Sequence, residues 1–143
     1  MWKEHLHSIS KEYTFSPPAS GDDIAKVEDS LQVTLPRELK EILLETNGVR
    51  AIYDLGLIWS EDQIKNENRH YRDDHSQDYY MPFDHLLFFG ESGIGDLFAF
   101  PVTGDGTCRD DVFVWNHEND SRKWVAPSVS KYLEWTLEGK IKI

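Results

Sequence analysis

"FFGESGIGDLFAF", residues 88–100, settles the fold class. Gly90, Gly93 and Gly95 crowd together and lead straight into Asp96. If a helix came next, this would be the phosphate-cradling turn of a doubly wound nucleotide-binding fold, because the free amides of a helix N-terminus meet phosphate there. The glycines instead run into "DLFAF", an aromatic-rich strand pattern, and the spacing is G-x-x-G-x-G in place of G-x-G-x-x-G. The chain also lacks the Gly-Lys-Ser/Thr of a P-loop. The stretch therefore reads as a tight turn between two strands, its glycines supplying positive φ. Asp96 then stands at a strand start, bracing the turn by hydrogen bonds or facing a partner.

Around this turn, "LLFF" (86–89), "DLFAFPV" (96–102) and "DVFVWNH" (111–117) are β-branched or aromatic-rich and bounded by turn residues. "TGDGT" (103–107) joins the last two as an antiparallel meander, and "WVA" (124–126) adds a short edge strand. Beyond Pro127, the spacing of Val129, Tyr132, Leu133 and Leu137 fits a closing helix. On the N-terminal side, Trp2, Leu6, Ile9 and Tyr13 share one helical face. After the "FSPPASG" break, Ser20 and Asp23 are spaced as a capping box for a helix that turns Ile24, Val27 and Leu31 inward. Pro36 suits the first turn of another helix, which buries Leu39, Ile42 and Leu43 and closes at Asn47-Gly48. "AIYDLGLIW" (51–59) predicts one strand, and Ser60 with Gln63 caps a polar helix in a charge-rich segment, 60–78, that has few apolar anchors and so lies on the surface or frays. Helices, then strands, then a helix indicate an α+β fold. The expected architecture is a single domain over residues 1–143, with a central, mostly antiparallel twisted sheet flanked by N-terminal helices and a C-terminal helix.

Of the 143 residues, 39% are hydrophobic and 13% aromatic, enough for a core that needs no metal or disulfide staples. Cys108 is the one cysteine, which excludes an internal disulfide and fits a reducing compartment. "MWKEHLHSIS" lacks the basic-then-apolar run of a signal peptide, and no stretch approaches the ~20 apolar residues of a membrane span. A cytoplasmic protein is expected. The 26 acidic residues outnumber the 15 basic ones, for a formal net charge of −11. That surface repels nucleic-acid phosphates and anionic lipid, so direct nucleic-acid and membrane binding are not expected. It attracts a basic partner and speeds the encounter.

No catalytic or metal-binding constellation emerges. His5 and His7 fall on opposite sides of a helix, His70 and His75 miss the i, i+4 spacing, and His85 stands alone. "HEND" (117–120) lacks the second histidine of H-E-x-x-H. "GDGTCRDD" (104–111) lacks the alternating ligands and terminal glutamate of an EF-hand. Cys108 carries no nucleophile signature that would pair it with His117. The expectation is a non-enzyme with no cofactor and no metal.

The segment "IAKVEDSLQVTLPRELKEILLETNGV" (24–49) resembles the signature helix pair of the SUKH superfamily in its Smi/Knr-type branch. The matching positions are Ile24, Glu28, Leu31, Leu35, Pro36, Asn47 and Gly48. "GIGDLFAF" (93–100) resembles the family's glycine-Asp-aromatic strand, "DVFVWNHEND" (111–120) its strand ending in a polar His-Glu, and "SVSKYLEWTLEG" (128–139) its closing helix. The sequence departs from the pattern at three places. Gln32 sits where the family often has a turn glycine, Leu39 replaces a common aromatic, and Asn116 stands where an Asp often precedes the His.

The resemblance implies an α+β domain that works by binding a protein. Many bacterial members look like immunity proteins that neutralise the toxic domain of a neighbouring polymorphic toxin, often a nuclease. A eukaryotic branch resembles regulators of cell-wall assembly. The first expectation is thus an immunity protein against a basic toxin nuclease. The alternative is a binding module that regulates a cell-wall or signalling partner, and the third is a small hydrolase using Asp96, His117 and Glu118, with or without a metal. Polarity and position nominate Asp73, Asp74, Asp78, Glu91, Asp96, Trp115, His117 and Glu118 as the partner-binding residues.

Overall fold

The computed structural model describes residues 2–9, 13–73 and 80–141. Its first half is mostly helical, with three short strands between the helices. Helix α1 (Trp2–Ile9) buries Leu6, and its first amides are capped by the Glu45 carboxylate, which accepts from the Trp2 N–H at 2.9 Å. Tyr13 is buried but lies outside this helix, just before strand β1 (Thr14–Phe15), so the helical face expected over 2–13 is shorter than its apolar spacing implied. Helix α2 (Gly21–Leu31) opens on the expected capping box: Ser20 Oγ accepts from the Asp23 N–H, and the Asp23 carboxylate accepts from the Ser20 N–H. Ile24, Val27 and Leu31 are buried along one face, as their spacing requires.

Helix α3 (Arg37–Glu45) comes directly after Pro36 and buries Leu39, Ile42 and Leu43. Glu28 ties the link between the two helices, accepting from the Leu35 N–H at 2.9 Å and pairing with Lys40 at 3.1 Å. Asn47-Gly48 does something other than the expected helix closure. Helix α3 ends at Thr46, which is extended, and no left-handed residue caps it. Asn47 Oδ1 accepts from the Glu61 N–H at 2.8 Å and so holds the start of α4 (Glu61–Asp73), where Ser60 Oγ also accepts from the Gln63 N–H.

Residues 51–59 are not one strand. Strand β2 (Val49–Ala51) and strand β3 (Leu55–Ile58) form an antiparallel hairpin whose tip is a single 3₁₀ turn at Ile52–Asp54. Tyr53 and Asp54 reach left-handed φ of 63° and 61° there, a conformation in which glycine or asparagine is usual. With no glycine in "IYD", the turn is invisible to composition.

The meander is as expected. Strands β4 (Leu86–Glu91), β5 (Leu97–Pro101), β6 (Val112–Trp115) and β7 (Arg122–Ala126) pair antiparallel in chain order. The strands form two antiparallel ladders, β1-β2-β3 and β4-β5-β6-β7. They meet edge to edge, with the Trp59 N–H donating to the Phe89 carbonyl at 2.8 Å. Gly90 belongs to that seam and not to the turn. It has no positive φ, and a Cβ there would stand 2.2 Å from the Leu57 carbonyl oxygen, so only glycine lets β4 lie this close to β3.

Helix α5 (Val129–Leu137) packs on one face of the larger sheet. Tyr132 meets the rings of Phe89 and Phe98 and donates its hydroxyl to the Leu57 carbonyl at 2.9 Å. Helix α4 covers the other face, where Tyr71, Phe83, Phe88 and Trp115 form an edge-on aromatic cluster. The polar helix α4 is anchored by Ile64 and by Asn68, both buried. The Asn68 amide accepts from the Phe88 N–H and donates to the Phe88 carbonyl, each at 2.8 Å. The architecture is α+β.

Candidate functional site

An antiparallel meander sends alternate turns to opposite ends of its sheet. The β4–β5 turn (92–96) and the β6–β7 turn (116–121) therefore share one end. Strand β3 runs antiparallel to β4 across the seam, as the pairings of Trp59 with Phe89 and of Gly56 with Glu91 require. The tip of the β2–β3 hairpin thus joins the same end. Polar side chains latch these turns together.

Asp96 is the central latch. It is buried, at 3% exposure, and one carboxylate oxygen accepts from the His117 backbone N–H at 3.1 Å and from His117 Nδ1 at 2.6 Å. A carboxylate oxygen can only accept, so Nδ1 carries a proton and, in the neutral ring, Nε2 is left as an acceptor. The imidazole lies over Gly95, where a Cβ would come 2.7 Å from His117 Cε1; at φ 98° Gly95 also makes the turn. The left-handed backbone calls for glycine there, and the missing Cβ leaves the imidazole room to sit where Asp96 holds it. The Asp96 carbonyl closes the turn by accepting from the Ser92 N–H and hydroxyl.

Glu91 latches the hairpin. It accepts from the Gly56 N–H at 3.2 Å and from Trp59 Nε1 at 3.1 Å. Asp120 latches the segment before β4. It accepts from the Met81 N–H, from Trp115 Nε1 at 2.8 Å and from the Arg122 guanidinium at 3.0 Å. Arg122 donates on to the Met81 and Pro82 carbonyls and lies over the Phe83 ring. Burial opposes charge on Asp120, but the three hydrogen bonds and the Arg122 cation outweigh it and hold the carboxyl below its usual range. Tyr80 completes the join by donating its hydroxyl to the His117 carbonyl.

The nominated residues separate accordingly. Glu91, Asp96, Trp115, His117 and Glu118 come together at this end. Asp96 and Trp115 lie inside it, His117 is partly exposed, and Glu118 is exposed with its N–H held by Asn116 Oδ1 at 2.8 Å. Asn116 makes there the turn-closing bond that an Asp would make. Asp73 is exposed at the far end, beside Arg72, which donates to the carbonyls of Leu31 and Leu86. Asp74 and Asp78 lie outside the described residues.

Sequence reasoning missed Tyr53, Met81, Ile94, Asp120 and Arg122 at this end. The first three are exposed apolar tips, and no pattern distinguishes an exposed apolar turn residue from a buried one. Cys108 is buried, and burial pushes its thiol up to about 12, so it presents no thiolate near neutrality. Among the described residues no group of three or more His, Cys, Asp and Glu side chains is arranged to hold a metal ion. Among them, too, no helix is long and apolar enough to cross a membrane. Chemically, the site is a set of internally satisfied carboxylates that hold three turns in a fixed arrangement.

An α+β domain built from a helix pair, an antiparallel meander and a closing helix forms a scaffold that presents a latched cluster of turns at one end. The model of the SMI1 / KNR4 family (SUKH-1) matches residues 18–135, and the chain belongs to that family. A search of curated proteins returns no match. Membership fits an immunity or regulatory protein that works through a protein partner.

Proposed function

We propose that this chain is a cytoplasmic immunity protein, acting as one domain over residues 1–143, that binds and neutralises the toxic domain of a cognate polymorphic toxin. The observation that carries the reading is membership of the SUKH-1 family across residues 18–135. The charge of −11 supports a nuclease as the target, because a site built to hold phosphates is basic and an acidic protein can occlude it. The protein performs no catalysis. Its Asp96–His117 pair serves to orient the imidazole toward a partner. His117 and Glu118 make contacts, while Glu91, Asp96 and Trp115 hold the turns that present them. Asp73 lies outside this face.

The test is co-expression with the toxin domain encoded beside this gene. Restored growth and a co-purifying stoichiometric complex are expected. Continued toxicity with no complex would overturn the reading. Turnover of a substrate abolished by His117→Ala would replace it with the hydrolase reading, and capture of an endogenous cell-wall or signalling enzyme in a genome with no neighbouring toxin would favour the regulatory one.

A further inference from the structure

Five large hydrophobic side chains are exposed among the described residues: Leu44, Tyr53, Met81, Ile94 and Trp124. Three of the five stand at the turn-bearing end. Tyr53 (94% exposed) is the hairpin tip, Ile94 (66%) is the tip of the β4–β5 turn, and Met81 (59%) is held beside the β6–β7 turn by Asp120. Scattered exposed apolar residues need no explanation, but three gathered on separate elements at one end do.

The backbone adds an independent sign. Tyr53 and the neighbouring Asp54 both hold left-handed φ, where a non-glycine side chain is disfavoured. A bulky aromatic in that conformation is an outlier, and such strain is typically retained at sites of function. At 94% exposure, Tyr53 gains little from its own fold in return. Tyrosine and methionine are residue types enriched where proteins meet, and an aromatic on a rigid tip loses little entropy on binding.

We infer that Tyr53, Ile94 and Met81 are the apolar anchors with which this chain grips a basic partner protein, Tyr53 being the principal one. This rests on the proposed function and specifies the surface that performs it. The occupant follows from charge. The exposed carboxylates of Asp54, next to Tyr53, and of Glu118, on the β6–β7 turn, stand at the same end of a chain of net charge −11, so a second copy of the chain is repelled and a basic surface is drawn in. Arg50 is the base paired to Asp54, at 3.0 Å. A cleft lined by Leu55, Leu57, Phe98 and Ile141 together with the polar Glu91, Ser92 and Thr136 opens beside the β2–β3 and β4–β5 turns. The latches through Asp96, Glu91 and Asp120 fix the spacing of the anchors before the partner arrives, which lowers the entropy cost of docking.

The experiment measures binding of a catalytically inactivated toxin domain, encoded beside this gene, to purified full-length variants. Tyr53→Ala is expected to weaken the complex at least tenfold, and Tyr53→Ala/Met81→Ser/Ile94→Ser at least a hundredfold. Leu44→Ser, on α3, should leave it within twofold. Tyr53→Asn separates a binding role from a structural one, since asparagine tolerates the left-handed conformation. It should bind as weakly as Tyr53→Ala while the melting temperature holds or rises. Full-affinity binding by the triple variant overturns the inference but leaves the proposed function standing. Failure of the wild-type chain to bind overturns both. Self-association of the chain alone in sedimentation velocity, lost in Tyr53→Ala, overturns the assigned occupant.

Discussion

Gln32 carries a backbone conformation that its side chain resists. It caps α2 at φ 55°, ψ 47°, the left-handed region in which glycine closes many helices. A Cβ there costs roughly 1–2 kcal/mol, part of which glycine returns through the larger entropy of its unfolded chain. Glutamine at this left-handed position therefore has a physical cost. Gln32→Gly is expected to raise unfolding stability by about 0.5–1 kcal/mol in denaturant titrations, net of that entropy. The loss of the Gln32 Nε2 bond to the Asp29 carbonyl should matter little, because it is exposed. A lower midpoint in the glycine variant would show that the side chain and not the backbone governs this cap.

Helix α4 shows what period and composition can and cannot reveal about an element. The Ser60 cap was legible because a hydroxyl three residues ahead of Gln63 has one common use. The anchor was not, because Asn68 reads as one more polar residue in a charged run. It satisfies both backbone groups of Phe88 where β4 slips out of register with β5. Asn68→Ala orphans a buried N–H and a buried C=O, and should cost about 3 kcal/mol by thermal or chemical unfolding. A cost near zero would mean that water replaces the amide. The same limit hid the hairpin at 49–58. Its turn residues Tyr53 and Asp54 adopt positive φ without a glycine to signal it, while α2, α3, the four meander strands and α5 followed from apolar spacing, capping residues and turn punctuation. Of the site, the glycine turn and the Asp96 brace were legible, whereas its joining to His117 is a long-range contact that spacing does not encode.

The join between the Met81 segment and the β6–β7 turn also answers to pH. The Asp120 carboxyl titrates below its ordinary value in the folded chain. A depressed carboxyl contributes stability that is present above its unfolded pKa, near ~3.9, and is lost as pH falls through the lower folded value. The stability gap between wild type and Asp120→Asn should therefore be constant above about pH 5 and close progressively below about pH 4. Stability followed by tryptophan fluorescence across that range checks it, since Trp115 donates to Asp120. A gap that stays open in acid would refute the role given to the Arg122 charge and the converging donors.

On the proposed function, the molecule as a whole combines two sources of recognition that act on different rate constants. A net charge of −11 acts at a distance, before contact, and salt screens it: the Debye length shrinks from about 30 Å at 0.01 M to about 8 Å at 0.15 M. Apolar anchors such as Tyr53 act only after contact and are nearly blind to salt. Charge should therefore set the association rate and the anchors the dissociation rate. In surface-binding kinetics with the toxin domain proposed as its partner, raising ionic strength over that range should slow association about tenfold or more, with dissociation changed little. Tyr53→Ala should reverse the pattern, speeding dissociation at every salt concentration while keeping the wild-type salt slope. The division is physical and not a matter of degree, because Tyr53 carries no charge to steer with and the exposed carboxylates bury too little surface to hold. An association rate indifferent to salt would show that the acidic surface serves another end, and would leave the turn tips as the whole of the recognition.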